Sequence, residues 1–301
     1  MGAKTNISWC DCTFNPVLGC TKVSPACDGC YAEHMMDTRF GRVQWGGPGK
    51  GAGTRVRTSV SNWNLPLRWE RDAIEAGTRP FVFCASLADV FDNAWDPQWR
   101  RDLFGLIHAT PRLVWLLLTK RPQNIVKMAS QSTANWPSNA AIGTTVEDQI
   151  RADINIPHLG HAAAVLQPIF SFLSCEPLLG PIVIPRSYLV EPDGIGWIIA
   201  GGETDQGEHV ARPPRPEWFR SLRDQAAAAG KPFHMKQWGE FGRPETDEDV
   251  ARIARGEGYG AGLSANGRFE DMHKTAVLRV GKNRSGRLLD GVLHDARPQV
   301  A

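Results

Sequence analysis

Cys20, Cys27 and Cys30 stand in one short stretch, Gly19-Cys20-Thr21-Lys22-Val23-Ser24-Pro25-Ala26-Cys27-Asp28-Gly29-Cys30-Tyr31, with C-x6-C-x2-C spacing. Three thiolates from one loop can ligate three irons of a four-iron, four-sulfur cluster, leaving the fourth iron open to a small molecule. Soft sulfur selects iron-sulfur or zinc over hard cations. Gly19, Pro25 and Gly29 permit the tight turns such a loop needs. A structural zinc site is the alternative. Zinc takes four ligands, and Cys10 and Cys12 lie close enough in sequence to complete a set. The expectation is that these two are not cluster ligands and that Cys84 and Cys175 pack at strand ends. Seven cysteines, an odd number, behind an N-terminus without an apolar run do not read as a disulfide framework.

Short apolar runs recur along the chain, each ending in a polar cluster. They are Phe81 to Ala85, Leu113 to Leu118, Ala140 to Gly143, Ile169 to Leu173, Trp197 to Ala200 and Pro232 to Met235. Runs of this length, apolar on both faces, predict buried parallel strands. A first strand is expected near Asn6 to Cys10. Helices are expected over Leu65 to Ala76, Pro97 to His108, Glu147 to His158 and Pro216 to Ala229, from apolar residues at three- and four-residue spacing. About seven strands with helical crossovers predict an α/β fold, a single (β/α) barrel, full or partial, with a doubly wound open sheet as the alternative. The barrel is expected over 1–240, with the cysteine loop at 19–31, a basic insertion at 38–69 and an irregular extension at 241–301. In such barrels working residues gather at the C-terminal ends of the strands. Ser86, Asp89, Thr119, Lys120, Thr144, Glu147, Ser174, Glu176, Glu203, Lys236 and Gln237 would then share one mouth. Thr144, Thr145 and Asp148 also suit helix capping.

At 301 residues and 42% apolar content the chain can bury a substantial core. Its net charge of +2 demands no anionic partner. No run of about 18 apolar residues is present, so no membrane span is expected, and unpaired cysteines suit a reducing cytoplasm. The oligomeric state is not legible. From Thr38 to Trp69 there is no acidic residue, yet Arg39, Arg42, Lys50, Arg55 and Arg57 fall there beside Trp45 and Trp63. Cations with aromatics beside a catalytic mouth suit a nucleic-acid backbone and a flipped base; a solvated loop is the plain alternative.

The segment Trp9 to Tyr31, with Phe14-Asn15-Pro16, resembles the phage Gp37/Gp68 family of three-cysteine-motif proteins. The resemblance continues at Leu118 to Pro122, Ile142 to Glu147, Ser174 to Pro181, Ile199 to Glu203, Arg212-Pro213, Met235 to Gly239 and Gly286 to Gly291. That family is similar to divergent radical S-adenosylmethionine (SAM) enzymes. The resemblance implies a [4Fe-4S] cluster, SAM as cofactor, a 5′-deoxyadenosyl radical, and an electron donor such as a flavodoxin or ferredoxin. It implies cofactor contacts from Gly201, Gly202, Glu203, Thr144, Glu147, Ser86 and Tyr31, and catalytic work by Lys236, Glu176, Asp89 and Lys120. The chain departs from the usual pattern. The first cysteine gap is six instead of three, the aromatic follows the last cysteine, and Gly-Gly-Glu follows a late strand. The implied substrate is DNA or a nucleotide, with an isomerase remodelling an amino acid attached to thymine in phage hypermodified DNA. A DNA repair lyase and a non-catalytic zinc-stabilised nucleic-acid-binding protein are the rivals.

Overall fold

The computed structural model describes residues 5–190, 194–260 and 275–300. Seven parallel strands form the central sheet: β1 (Cys12–Phe14), β2 (Phe81–Cys84), β3 (Val114–Thr119), β4 (Ala140–Thr145), β5 (Ser171–Cys175), β6 (Ile195–Gly201) and β7 (Phe233–Gln237). They lie in sequence order across the sheet. The crossovers carry α1 (Leu65–Ala76), α2 (Pro97–His108), α3 (Ile125–Ser130), α4 (Gln149–Leu166) and α5 (Pro216–Ala228).

The sheet curls. Phe81 of β2 and Trp197 of β6 have ring centroids 6.1 Å apart. In a flat sheet, four strand spacings of about 4.8 Å would separate them by about 19 Å. A partial barrel brings their strands face to face. Its concave floor is aromatic: Trp9 lies 4.5 Å from Phe83 and 6.3 Å from Trp197 by ring centroid. Gly143 is needed under this floor, because a Cβ there would come within 2.5 Å of the Phe172 ring. The convex face packs against the helices through residues such as Trp115, Phe104, Leu159, Phe219 and Leu222.

Local chemistry sets the helix ends. Asp96 accepts from Gln98 N at 2.8 Å with Pro97 in the first turn, and Asp148 accepts from Arg151 N at 2.8 Å. Apolar spacing predicts that α4 ends at His158. The helix continues to Leu166 through Pro157, because Leu159, Ala162 and Ala163 extend its buried face.

The expectation for the first strand is corrected. Residues 6–10 form a turn instead of the first strand: Cys10 N donates to Ile7 O at 3.3 Å, while Trp9 and Cys10 enter the concave floor. The basic insertion is built, with a hairpin of Trp45–Gly47 and Gly51–Gly53, and Val56–Arg57 paired to Val17–Leu18. The C-terminal region holds an antiparallel sheet of Phe241–Gly242, Gly258–Gly260 and Ala276–Arg279. Of the glycine-rich stretch 256–267, residues 261–267 lie outside the described residues.

The last residues return to the barrel. Met235 N donates to His294 O, and Trp197 Nε1 donates to Ala296 O, each at 2.9 Å. Arg297 reaches Asp11 Oδ1 at 3.0 Å and Ser8 O at 2.9 Å. Ser8 Oγ in turn meets His234 Nε2 at 2.9 Å. These contacts tie the two edges of the sheet together below the mouth.

Candidate functional site

The three cysteines of the loop, Cys20, Cys27 and Cys30, line one cavity of about 120 Å³ at the C-terminal ends of β2, β3 and β4. Ser86, Asp89, Lys120 and Arg121 border it, and Phe83, Leu118 and Thr145 rise to it from the concave face. Cys10 and Cys12 do not line it; they precede or begin β1 at its other end, inside the packed core. Cys84 and Cys175, the last residues of β2 and β5, are fully buried, and burial raises both thiols well above the usual range.

Two ionic brackets hold the cysteine loop. In the first, the buried Arg121 donates to Asp89 Oδ2 at 2.8 Å, to Thr21 O at 2.8 Å and to Cys20 Sγ at 3.6 Å. Asp89 also accepts from Thr119 Oγ1 at 2.7 Å, and from the backbone N of Lys120 and of Phe91. Behind it, Arg55 Nε reaches Asp92 at 2.9 Å, and Arg55 Nη2 reaches Thr21 Oγ1 at 2.7 Å. In the second, Arg212 donates to Glu203 Oε2 from its backbone N and its Nε, each at 2.8 Å, and to Pro25 O at 3.0 Å. His209 Nε2 lies 3.0 Å from Glu203 Oε1, close enough for an ion pair but not aligned as a hydrogen bond. Gly29 packs directly on this group: a Cβ there would meet His209 at 2.4 Å and Glu203 at 3.1 Å. Glu147 Oε1 adds a third hold, accepting from Ala26 N at 3.3 Å.

Burial dominates the electrostatics of the cavity. It pushes the Cys20 thiol up to about 12, aided by Asp89 and opposed by Arg121, and it raises Cys30 as well. Burial disfavours the Lys120 ammonium, but Cys27, Cys30, Glu147 and Asp89 outweigh it and hold that pKa above the usual lysine value. Buried thiols become thiolates only beside positive charge, so this donor set suits a metal cluster. No three His, Cys, Asp or Glu side chains among the described residues converge closely enough for one metal ion. The three thiols are among the side chains that line one cavity, and soft sulfur donors are the kind an iron-sulfur cluster would take.

The family described as "Protein of unknown function (DUF5131)" matches residues 4–298. This chain belongs to that family. The match does not carry the phage Gp37/Gp68 resemblance drawn from the motifs. Among curated proteins, none matches. A solved structure of a spore photoproduct lyase mutant, with bound AdoMet and dinucleoside spore photoproduct, is similar over 90% of this chain and 69% of its own. Its sequence identity is 10% and its TM-score 0.39. At that distance the likeness says nothing about what this chain binds.

Several expected site residues stand elsewhere in this DUF5131 chain. Thr144 is fully buried and donates to Thr119 O at 3.0 Å; its neighbour Thr145 lines the cavity, because successive strand residues face opposite sides. Tyr31 is 52% exposed and donates to Met35 Sδ, so it points away from the cavity. Gly202 serves packing: a Cβ there would strike the Trp238 carbonyl at 2.0 Å. Gly201 leaves room for Glu176 and Lys236, which form an ion pair across it. Glu203 is taken by Arg212 and His209, so its carboxylate braces the loop. Burial disfavours the charged form of Glu203, but the hydrogen bonds and charge of Arg212, with His209, outweigh it and hold its pKa below the usual carboxylate value.

The basic insertion also differs from the expectation of uncompensated cations. Arg55 is buried against Asp92, and Arg57 pairs with Asp102 and covers the Trp63 ring at 4.3 Å. Asp92 and Asp102 come from a distant stretch, so local sequence did not reveal them. Arg39, Arg42 and Lys50 remain exposed, the two arginines over the Phe40 ring at 5.3 and 5.5 Å. Sequence reasoning missed Arg121, His209 and Arg212 as residues that hold the loop. Arg121 sits inside the Thr119-Lys120-Arg121-Pro122 motif, directly after a strand end, and that position was the available signal.

Proposed function

We propose that this protein is a radical SAM enzyme that holds a [4Fe-4S] cluster on Cys20, Cys27 and Cys30. One observation carries the reading. The three cysteines of the loop, separated from Cys10 and Cys12, line a single cavity at the C-terminal mouth of a partial (β/α) barrel. When bound, the cluster and SAM supply one-electron carbon-sulfur cleavage and a hydrogen-abstracting radical.

The chain's own residues supply the rest. Lys120 offsets thiolate charge at Cys27 and Cys30. Arg121 donates to Cys20 and fixes Thr21; hydrogen bonds to ligand sulfur are a general lever on cluster potential. Arg212 and Glu203 hold the Pro25–Gly29 turn. The aromatic floor of Trp9, Phe83, Phe172 and Trp197 excludes water from the base of the mouth, which protects a reactive intermediate.

The substrate reading is a nucleotide or DNA, with isomerisation of a base-linked amino acid favoured over lyase repair. It is supported by the exposed Arg39, Arg42 and Lys50. Arg42 also borders a second, open cleft of about 400 Å³ edged by Thr58, Ser59 and Ser61, which suits phosphate oxygens.

The test is anaerobic incubation of purified protein with SAM and a reductant. Iron, sulfide and 5′-deoxyadenosine are expected. Stoichiometric zinc without sulfide would overturn the assignment.

A further inference from the structure

The mouth contains one carboxylate that the cysteine loop does not use. Glu176 follows β5 and Lys236 lies in β7, and the two side chains meet over Gly201 of β6. A side chain at 201 would crowd them: its Cβ would stand 3.2 Å from Glu176 Cγ and 3.5 Å from Lys236 Cβ. Alternation along β7 puts Lys236 on the same face as His234, which stacks edge-on to Trp197 of the concave floor. The pair therefore crowns the inside of the barrel. The paired strands carry it in the same arc as the cavity, through the register Thr145 with Ser174, Ser174 with Ile199 and Ala200 with Met235.

Glu176 is only half engaged. Oε2 binds Lys236 Nζ, while Oε1 is buried and has no hydrogen-bond partner. Its rim neighbours Asp89 and Glu203 have both oxygens occupied. A buried unpaired acceptor in a native structure calls for a partner. An ionised carboxylate accepts only, so what Oε1 lacks is a donor. Lys236 has three N–H donors, spends one on Glu176 and is partly exposed, so it can still take an anion. A phosphate alone would meet Oε1 with like charge. An ammonium next to a carboxylate satisfies both.

We infer that Glu176 and Lys236 anchor the substrate by an α-amino-acid group, its ammonium on Glu176 Oε1 and its carboxylate on Lys236 Nζ. This rests on the reading of the mouth as an active site. The pair does not line the thiol cavity, so the amino acid bound here is the substrate's and not that of SAM.

Saturation-transfer NMR on the anaerobically purified protein tests it, with L-alanine, propylamine and propionate as probes. L-Alanine is expected to bind at least tenfold more tightly than either single-function probe. Glu176→Gln, which keeps the side-chain shape and its contact with Lys236, should weaken L-alanine at least tenfold and leave iron content and SAM affinity unchanged. Lys236→Met should do the same. Equal L-alanine binding across the variants, tighter binding of propionate, or a parallel loss of SAM affinity would overturn the site. Wild-type protein that binds L-alanine but never cleaves SAM would overturn the radical reading alone.

Discussion

At the residue scale, the chemistry rests on which thiols share a volume and what charge faces them. Replacing Cys20, Cys27 or Cys30 by Ala is expected to abolish the visible absorbance of the proposed cluster. The double variant Cys10→Ser, Cys12→Ser should keep its iron, because these side chains lie in the core at the N-terminal end of β1. Arg121 is the sharper case. Its guanidinium satisfies the buried Asp89 and grips the loop at Thr21. Removing one partner of a buried ion pair costs about 3–5 kcal/mol. Arg121→Met should therefore lower stability by that order in chemical denaturation. Arg121→Lys keeps the charge but not the fork. It should recover much of the stability while shifting the cluster's reduction potential; an unchanged potential would show that the contact with Cys20 has no electronic effect.

At the element scale, the cysteine loop is positioned by segments far away in sequence. The turn at Pro25–Gly29 packs against His209 and Arg212, from the segment that follows β6. Gly29→Ala would put a methyl 2.4 Å from the His209 ring, displacing the ring or the loop. Iron loading should fall severalfold while global unfolding barely changes, and His209→Ala in the same chain should restore it. A Gly29→Ala protein with full iron would mean the loop yields without cost. The basic insertion divides in the same way. Arg55 is an internal brace, so Arg55→Ala should destabilise the fold by about 3–5 kcal/mol. Arg39→Ala with Arg42→Ala should leave stability unchanged and flatten the salt dependence of DNA binding. No salt-sensitive binding in the wild type would remove DNA from the proposal.

At the scale of the molecule, the barrel's open seam is tied at its base by a buried histidine. His234 is fully buried and touches Ser8 Oγ at 2.9 Å and Arg287 Nη2 at 3.1 Å. Burial, with Arg287 beside it, lowers its pKa to about 4, Asp295 opposing and Arg297 and Lys236 adding to the shift. Above pH of about 6.5 both folded and unfolded states carry it neutral. As pH falls toward 4 the unfolded chain takes up the proton first, so stability declines, and below 4 the loss levels off. The full effect is about 3 kcal/mol. His234→Gln should flatten the dependence of melting temperature on pH between 6.5 and 4; an identical slope would place the acid sensitivity elsewhere. Among the described residues no helix is long and apolar enough to cross a membrane.

What the sequence determined by itself was periodic or local. Apolar runs gave six of the seven strands, because a strand buried on both faces needs no distant partner to declare itself. The start of α2 followed from Asp96-Pro97, and the bounds of α1 from apolar residues at three- and four-residue spacing. The three-cysteine spacing alone marked the loop that lines the cavity. The strand ends marked Asp89, Lys120, Glu176 and Lys236 as mouth residues. Tertiary structure decided everything that depends on pairing across the chain. Glu203 and Gly202 look like a ligand-binding turn until Arg212, His209 and the Trp238 carbonyl fill the space around them. Arg55 looks like a free cation until Asp92, far along the chain, closes on it. Thr144 and Thr145 are indistinguishable in sequence, yet a strand's period of two sends one into the helix-packed layer and the other into the cavity. Composition and spacing name the groups that can do chemistry; the curl of the sheet determines which of them are left free to do it.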